Sequence, residues 1–438
     1  MTGSGSSVPA ATRPAAVPGA AWRGNPAFTR LCSAAVVSEL GDWLLFIALP
    51  LYVLGASGSA LDTSTVFLAE LVPAVVIGTA CGPLIDRRDP GRLLAALTGV
   101  QTVILLPLLW VGPGRLWVVY VVAGAQSALT SITIPCQQAV VPMLVESHEI
   151  ARANAAVQVA SNAARLIGSP LGGALLPVLG LPGLVIADMA TFVLSSTLLA
   201  GCAPHTSPPK TSMLTGRAAA IAEGWHAVRR STTLSCAVIV AFAGSVAQGL
   251  FLVLFVLFVL RSLHAGDSVA GLLRGVQAIG GVLGGVLIAT WANRASARAL
   301  AVWGLWAFAL VSLLTWNSPW FTTATWWYVV LFIAVGAPGT ALATGLITGT
   351  QQAAPPPVLG RVVSLIQVAE ALGQGAGILA AGLLSSLTSL TVLLNAQAGC
   401  YLTCAMVALI GFARHVPRPI SPHDATLTHH RHPASDIA

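Results

Sequence analysis

Of 438 residues, 21 are Lys or Arg and 14 are Asp or Glu, so charged side chains make up 8% of the chain, where a soluble protein carries about 25%. With 56% apolar residues and a mean hydropathy of +0.83, a water-soluble fold is excluded because its surface would be too apolar; the medium for most of this chain is lipid. The formal charge of +7 does not indicate nucleic-acid binding, since the arginines lie in ones and twos between apolar runs and form no basic stripe.

Residues 1–26 are rich in Ala, Pro, Gly and Ser and lack the apolar core of a signal peptide, so they read as a disordered tail. A helix needs about 20 apolar residues to cross a bilayer. Runs bounded by Gly, Pro or charge predict twelve spans, at 27–54, 62–85, 92–112, 115–141, 151–178 and 181–203, then 232–261, 268–292, 297–316, 320–347, 361–387 and 390–413. The expected fold is an all-α integral membrane protein of two six-helix bundles, 27–203 and 232–413. The polar connection 204–231 joins them, with 217–230 reading as a surface helix, and residues 414–438 form a second disordered tail. The tail residues His423, His429, His430 and His432 are expected to be solvated rather than to chelate a metal.

Placing both termini in the cytoplasm leaves only Arg115 and Arg261 outside and Arg165 and Arg274 within spans; every other Lys and Arg falls inside. The positive-inside rule therefore supports a multi-pass plasma-membrane protein with both termini cytoplasmic. The seven cysteines form no CxxC pair and no secreted disulfide framework, and Cys400 and Cys404, on one helix face, read as packing residues.

Two stretches, one in each half, match. Gln137-Gln138-Ala139, Arg152, Gln158-Val159-Ala160, Gly168 and Gly173 have counterparts in Gln351-Gln352-Ala353, Arg361, Gln367-Val368-Ala369, Gly377 and Gly382. Gly78, Gly82, Leu84 and Ile85 likewise match Gly281, Gly285, Leu287 and Ile288. Such parallel duplications place a transported substrate near the midplane between halves that rock against each other.

After the second span comes Gly82-Pro83-Leu84-Ile85-Asp86-Arg87-Arg88-Asp89-Pro90-Gly91-Arg92. It resembles the G-x-L-x-D-R loop signature of the major facilitator superfamily, although Pro90 and Gly91 stand where that family usually has basic residues and Ala289 replaces the second-half aspartate. Gly41-Asp42-Trp43, Ala48-Leu49-Pro50-Leu51, Asp188-Met189-Ala190-Thr191-Phe192 and Glu223-Gly224 are similar to the bacterial efflux branch that includes macrolide and enterobactin exporters. Gly168-Ser169-Pro170-Leu171-Gly172-Gly173 resembles the G-P-x-x-G-G antiporter signature with its proline displaced by one residue. The resemblance implies the twelve-helix major facilitator fold and a gating set of Gly82, Asp86, Arg87, Arg92 and Arg361, in which Asp86 faces the start of the eleventh span. It also implies an antiporter motif comprising Gly168, Pro170, Gly172 and Gly173.

Glu39, Asp42, Glu70, Arg165, Asp188, Arg274 and Glu370 fall inside predicted spans, where a charge costs about 2.5 to 3.5 kcal/mol on insertion scales and normally faces a cavity or a partner. A proton-coupled transporter requires acids that are charged in one state and neutral in the other. Glu39 and Asp42, three residues apart, share one helical face. By resemblance the first helix and the paired helices carrying Arg165 and Glu370 line the central cavity, so Asp42, Glu39, Glu370 and Arg165 are the expected proton-coupling residues, with a Glu370 to Arg165 relay. Asp188 and Arg274 are expected to be structural, the latter snorkelling from a helix end. Trp43, Phe46, Gln126, Gln248, Phe251 and Phe255 suit an amphiphilic substrate, and Trp326-Trp327-Tyr328 reads as an interfacial aromatic belt.

The leading expectation is a proton-driven exporter of an amphiphilic small molecule acting as a monomer, with an importing symporter or facilitator and a non-transporting sensor as the alternatives. No nucleotide loop follows Gly280-Gly281 or Gly284-Gly285, and no catalytic or metal constellation stands out, so neither an enzyme nor a cofactor is expected.

Overall fold

A computed structural model of the chain describes residues 25–78, 89–145, 150–200, 225–291, 296–355 and 358–411, and among these every regular element is helical. The first four spans are α1 (Pro26–Ser57), α2 (Ala60–Gly78), α3 (Pro90–Leu105) and α4 (Leu116–Leu144). A helical stretch of 51 residues, Ile150–Ala200, follows. At 1.5 Å per residue it would be about 77 Å long, more than twice the hydrocarbon thickness, so it must turn back. It does so at Gly180, whose φ of 65° and ψ of 177° suit glycine alone. The two crossings are α5 (150–179) and α6 (181–200).

The second half comprises α7 (Thr232–Leu257), α8 (Asp267–Trp291), α9 (Ala297–Asn317), α10 (Thr325–Ala353), α11 (Leu359–Leu384) and α12 (Leu390–Gly411). Among the described residues eleven helices, counting Ile150–Ala200 as one, are long and apolar enough to cross a membrane, and the break at Gly180 divides that one in two.

Caps explain several boundaries. The Asn25 side chain accepts from the Ala27 and Phe28 backbone N–H groups at 3.0 and 3.2 Å, with Pro26 opening α1. Asp89 does the same for Gly91 and Arg92 at 2.9 and 3.1 Å, with Pro90 at the first helical position. The Pro90-Gly91 departure from the family loop thus has a local role as a helix start. The tenth span begins five residues later than the sequence predicts. The cause is a 3-10 turn at Ser318–Trp320, after which the Phe321 and Thr322 N–H groups both bond to the Ser318 carbonyl, at 2.8 and 2.9 Å. Of the predicted aromatic belt, Trp326 is exposed, but Tyr328 is fully buried and its hydroxyl donates to the Thr322 carbonyl at 2.8 Å. Of the predicted surface helix, 225–230 is described and helical, while Glu223 and Gly224 lie outside the described residues.

The halves meet along two seams. On one, α5 packs on α8 so closely that a Cβ at Gly173 would overlap the Asp267 carbonyl and one at Gly271 the Ser169 carbonyl. On the other, Gly382 of α11 lies against Ser64 of α2, and Gly375 against Leu71. Small residues permit such backbone approach, the usual basis of helix association in lipid. Arg261, beyond α7, adds a strap by donating to the Gly58 carbonyl beyond α1 at 3.1 Å. These contacts run from mid-membrane to the face opposite the termini, so the halves are closed together on that face. Cys400 and Cys404 pack within the second half, with the Cys404 thiol 3.9 Å from the Val240 carbonyl oxygen, as expected of packing residues.

Candidate functional site

A cavity of about 460 Å³ lies inside the first half, walled by residues of α1 to α6. Its polar lining is dominated by four carboxylates. Glu39 and Asp42 project from successive turns of α1, Glu70 comes from the middle of α2, and Asp188 from α6. The Ser161 hydroxyl of α5 hydrogen-bonds Glu39. Thr191 Oγ1 donates to the Asp188 carboxylate at 3.0 Å, and the Ser127 hydroxyl of α4 donates to the Glu70 backbone carbonyl.

Local sequence explains the placement. Gly41 lets α6 approach α1 until a Cβ there would overlap the Asp188 carboxylate and Thr191 Oγ1. Asp188, 1% exposed, is therefore held beside Asp42 and lines the cavity. Gln101, Gln126 and Thr130 form a polar strip of the lining, with Gln101 Nε2 donating to Thr130 Oγ1 at 3.2 Å and Gln126 Nε2 to the Gln101 carbonyl at 3.0 Å. Gln126 Oε1 is buried with no donor.

Trp43 and Phe46 also line the cavity, their rings in edge contact at 5.1 Å. Each carries an arginine. Arg165 of α5 holds its guanidinium carbon 4.9 Å from the Trp43 ring centroid, and Arg274 of α8 sits 5.6 Å from Phe46 and 5.0 Å from Phe251. Arg165 Nη2 donates to Gln277 Oε1 of α8 at 2.6 Å, which joins the two halves, while its Nε is buried without an acceptor. Arg274 is 6% exposed and does not snorkel, contrary to expectation: it lies two turns into α8, where the seam closes over it. An aromatic face returns about 0.5 to 2 kcal/mol to a cation. Removing an ion from water costs several kcal/mol, so the rings alone leave Arg274 undercompensated.

The remaining predicted residues are dispersed. Glu370 is half-buried on α11, and no bond joins it to Arg165 among the described residues. Phe251 and Phe255 belong to an aromatic core with Trp316 and Phe332 and lie off the cavity, as does the half-buried Gln248 of α7. Gly168 and Gly172 face α1, against the Leu40 and Leu44 carbonyls, whereas Pro170 and Gly173 face α8 at Gly275 and Gly271. The antiporter-like motif is thus a two-sided packing strip. Gly82, Asp86 and Arg87 lie outside the described residues; Arg92 is exposed in the first turn of α3, and Arg361 is half-buried at the start of α11. Among the described residues no cluster of three or more His, Cys, Asp or Glu has metal-binding geometry.

Sequence reasoning did not foresee that Asp188 lines the cavity or that Arg274 is buried. The signals available were a Thr three residues after Asp188, and glycines at 271 and 275 that mark the face of α8 carrying Arg274 as a close-packed one.

Residues 31–260 and 237–436 match the sequence profile of the Major Facilitator Superfamily. Among curated proteins, the chain is 25% identical over 179 residues to the uncharacterized MFS-type transporter YfiS of Bacillus subtilis (strain 168), covering 41% of this chain and 42% of that protein. It is 24% identical over 184 residues to macrolide efflux protein A of Streptococcus pyogenes, covering 40% and 44%. The chain spans under half the length of these curated relatives. Among solved structures, a bacterial homologue of the iron transporter ferroportin in an inward-facing state superposes with a TM-score of 0.69 at 16% identity, over 89% of this chain and 99% of that one. At that identity the likeness concerns the fold.

Proposed function

The chain belongs to the Major Facilitator Superfamily and is a multi-pass membrane transporter, and on that premise we propose that it exports an amphiphilic small molecule in exchange for protons. The observation that carries this reading is a cavity lined by Glu39, Asp42, Glu70 and Asp188 together with Trp43 and Phe46. Carboxylates facing one another in a low-dielectric space need shared protons or a bound cation to coexist. A change in how far water reaches this cavity as the halves rock therefore couples proton movement to conformation. The aromatic rings and the Gln101, Gln126 and Thr130 strip fit a cargo that is largely apolar with a few polar groups.

With the termini on the cytoplasmic side, as the basic residues favour, the closed seams support reading this conformation as inward-facing. Similarity to a protein named for macrolide efflux supports the outward direction. The test is dye transport in everted vesicles under an imposed pH gradient. Asp42→Asn is expected to abolish gradient-driven dye uptake while protein level in the membrane is unchanged; undiminished uptake would remove Asp42 from the mechanism. Accumulation driven only by a gradient of the opposite sense would reverse the direction to import.

A further inference from the structure

Arg165 on α5 and Arg274 on α8 face a common aromatic layer at the seam between the halves, and neither forms an ion pair with a carboxylate among the described residues. Arg274 is 6% exposed, lies over the Phe46 and Phe251 rings, and makes no hydrogen bond among the described residues. Arg165 spends one bond on the neutral Gln277 and leaves its buried Nε without an acceptor. A guanidinium keeps its charge in any protein environment and offers five N–H donors. Two such groups close enough to repel each other, with most donors idle, form a socket for a negatively charged acceptor.

We propose that Arg165 and Arg274 form a binding site for an oxyanion (a carboxylate, phosphonate or sulfonate) carried by the transported molecule, with the apolar body of that molecule held against Trp43, Phe46 and Phe251. This rests on the transporter reading and adds a chemical class to the cargo. The same two rings, Trp43 and Phe46, line the acid-walled cavity, so the anionic socket and the carboxylate cluster stand one aromatic layer apart. A cargo with an anionic head is thereby kept away from the carboxylates and drawn to the seam, where the halves close on it. Arg165 and Gln277 come from opposite halves, so an anion bound there reinforces the contact that holds this conformation.

The experiment is thermal unfolding of the full-length protein in phosphatidylcholine nanodiscs, titrated with sodium benzoate, phenylphosphonate or neutral benzamide at constant ionic strength. Benzoate and phenylphosphonate are expected to raise the unfolding temperature saturably, with no response to benzamide. Arg274→Gln and Arg165→Gln should each shift the benzoate midpoint at least tenfold, and Arg274→Lys less. Equal responses to benzoate and benzamide, or wild-type midpoints in both Gln variants, would overturn the proposal. If Arg274→Gln does not assemble, the half-buried Arg165→Gln decides alone. Adding phosphatidylglycerol separates two sources of oxyanion: an unchanged midpoint assigns the socket to cargo, and a weakened one assigns it to a lipid headgroup and overturns the cargo assignment. No gradient is present, so a silent benzoate titration beside working efflux refutes only this site. Failed efflux beside an intact benzoate response refutes only the export reading.

Discussion

Arg165 lies over the Trp43 indole, its guanidinium carbon 4.9 Å from the ring centroid, and Trp43 is also part of the wall of the acid-lined cavity. Its ring therefore stands between the carboxylates of the first half and Arg165 at the seam, as Phe46 does for Arg274. Trp43→Ala should lose the cation–π contact, about 0.5 to 2 kcal/mol, and merge the two polar regions; Trp43→Phe keeps a ring between them. Dye efflux is expected to fall at least tenfold in the first variant and less than threefold in the second, at equal membrane expression. Equal losses in both would mean that the indole N–H, not the ring, is what matters.

The seam between α5 and α8 depends on two glycines. At Gly173 an added Cβ would meet the Asp267 carbonyl, which is backbone and cannot step aside. Gly173→Val should therefore wedge the halves apart on the face opposite the termini. Spin labels at positions 61 and 386, in a cysteine-free background, are expected to show a longer distance distribution than in the parent. A population unchanged from the parent would show that the seam is not what closes this face.

Arg261→Ala tests the same closure more gently. It removes only the exposed hydrogen bond to the Gly58 carbonyl, worth about 0.5 to 1.5 kcal/mol, so the same labels should show a shift of roughly 2- to 10-fold in the ratio of closed to open populations. A shift as large as that of Gly173→Val would mean that the strap, and not the helix packing, dominates.

Much of this architecture was legible in the chain because lipid leaves so few solutions: apolar runs of spanning length must be helices, and Leu179-Gly180-Leu181-Pro182 marks the one turn buried inside a continuous helical stretch. Trp43, Phe46 and Gln126 line the cavity, as side chains of helices that wall it. What did not follow from sequence was whatever depends on a partner across a seam. Arg274, two turns from a helix end, looks able to reach water, and only the packing of α8 on α5, with Phe46 and Phe251 over the guanidinium, shows that it does not. The place of Asp188 on the cavity wall was hidden for the same reason: it depends on Gly41, far away in the chain, letting α6 sink onto α1.

That contact yields its own prediction. Gly41→Ala forces a methyl group into the Asp188 carboxylate and Thr191 Oγ1, an overpacking change that costs about 1 to 3 kcal/mol. A lower unfolding temperature and displaced carboxylates are expected, hence a loss of gradient-driven efflux larger than the loss of protein. Adding Asp188→Ala and Thr191→Ala to Gly41→Ala removes both overlaps and should recover stability without recovering transport. Recovery of both would show Asp188 to be a packing residue only.

Gln126 offers the sharpest separation of stability from recognition. Its Nε2 bonds the Gln101 carbonyl at 3.0 Å, while its buried Oε1 has no donor. An unsatisfied buried acceptor costs about 1 to 3 kcal/mol, and a satisfied hydrogen bond contributes about 0.5 to 1.5 kcal/mol, so replacing the whole amide by Leu removes a cost and a gain of similar size. Gln126→Leu should therefore change the unfolding free energy by about 1 kcal/mol or less. A cargo that donates a hydrogen bond to Oε1 in the native protein would lose that bond, weakening its binding by roughly 5- to 10-fold. The check is paired: unfolding of the purified variant, and the concentration of a transported dye that gives half-maximal efflux in vesicles. A large loss of stability with an unchanged half-maximal concentration would mean that Gln126 props α4 against α3 and does not face the cargo.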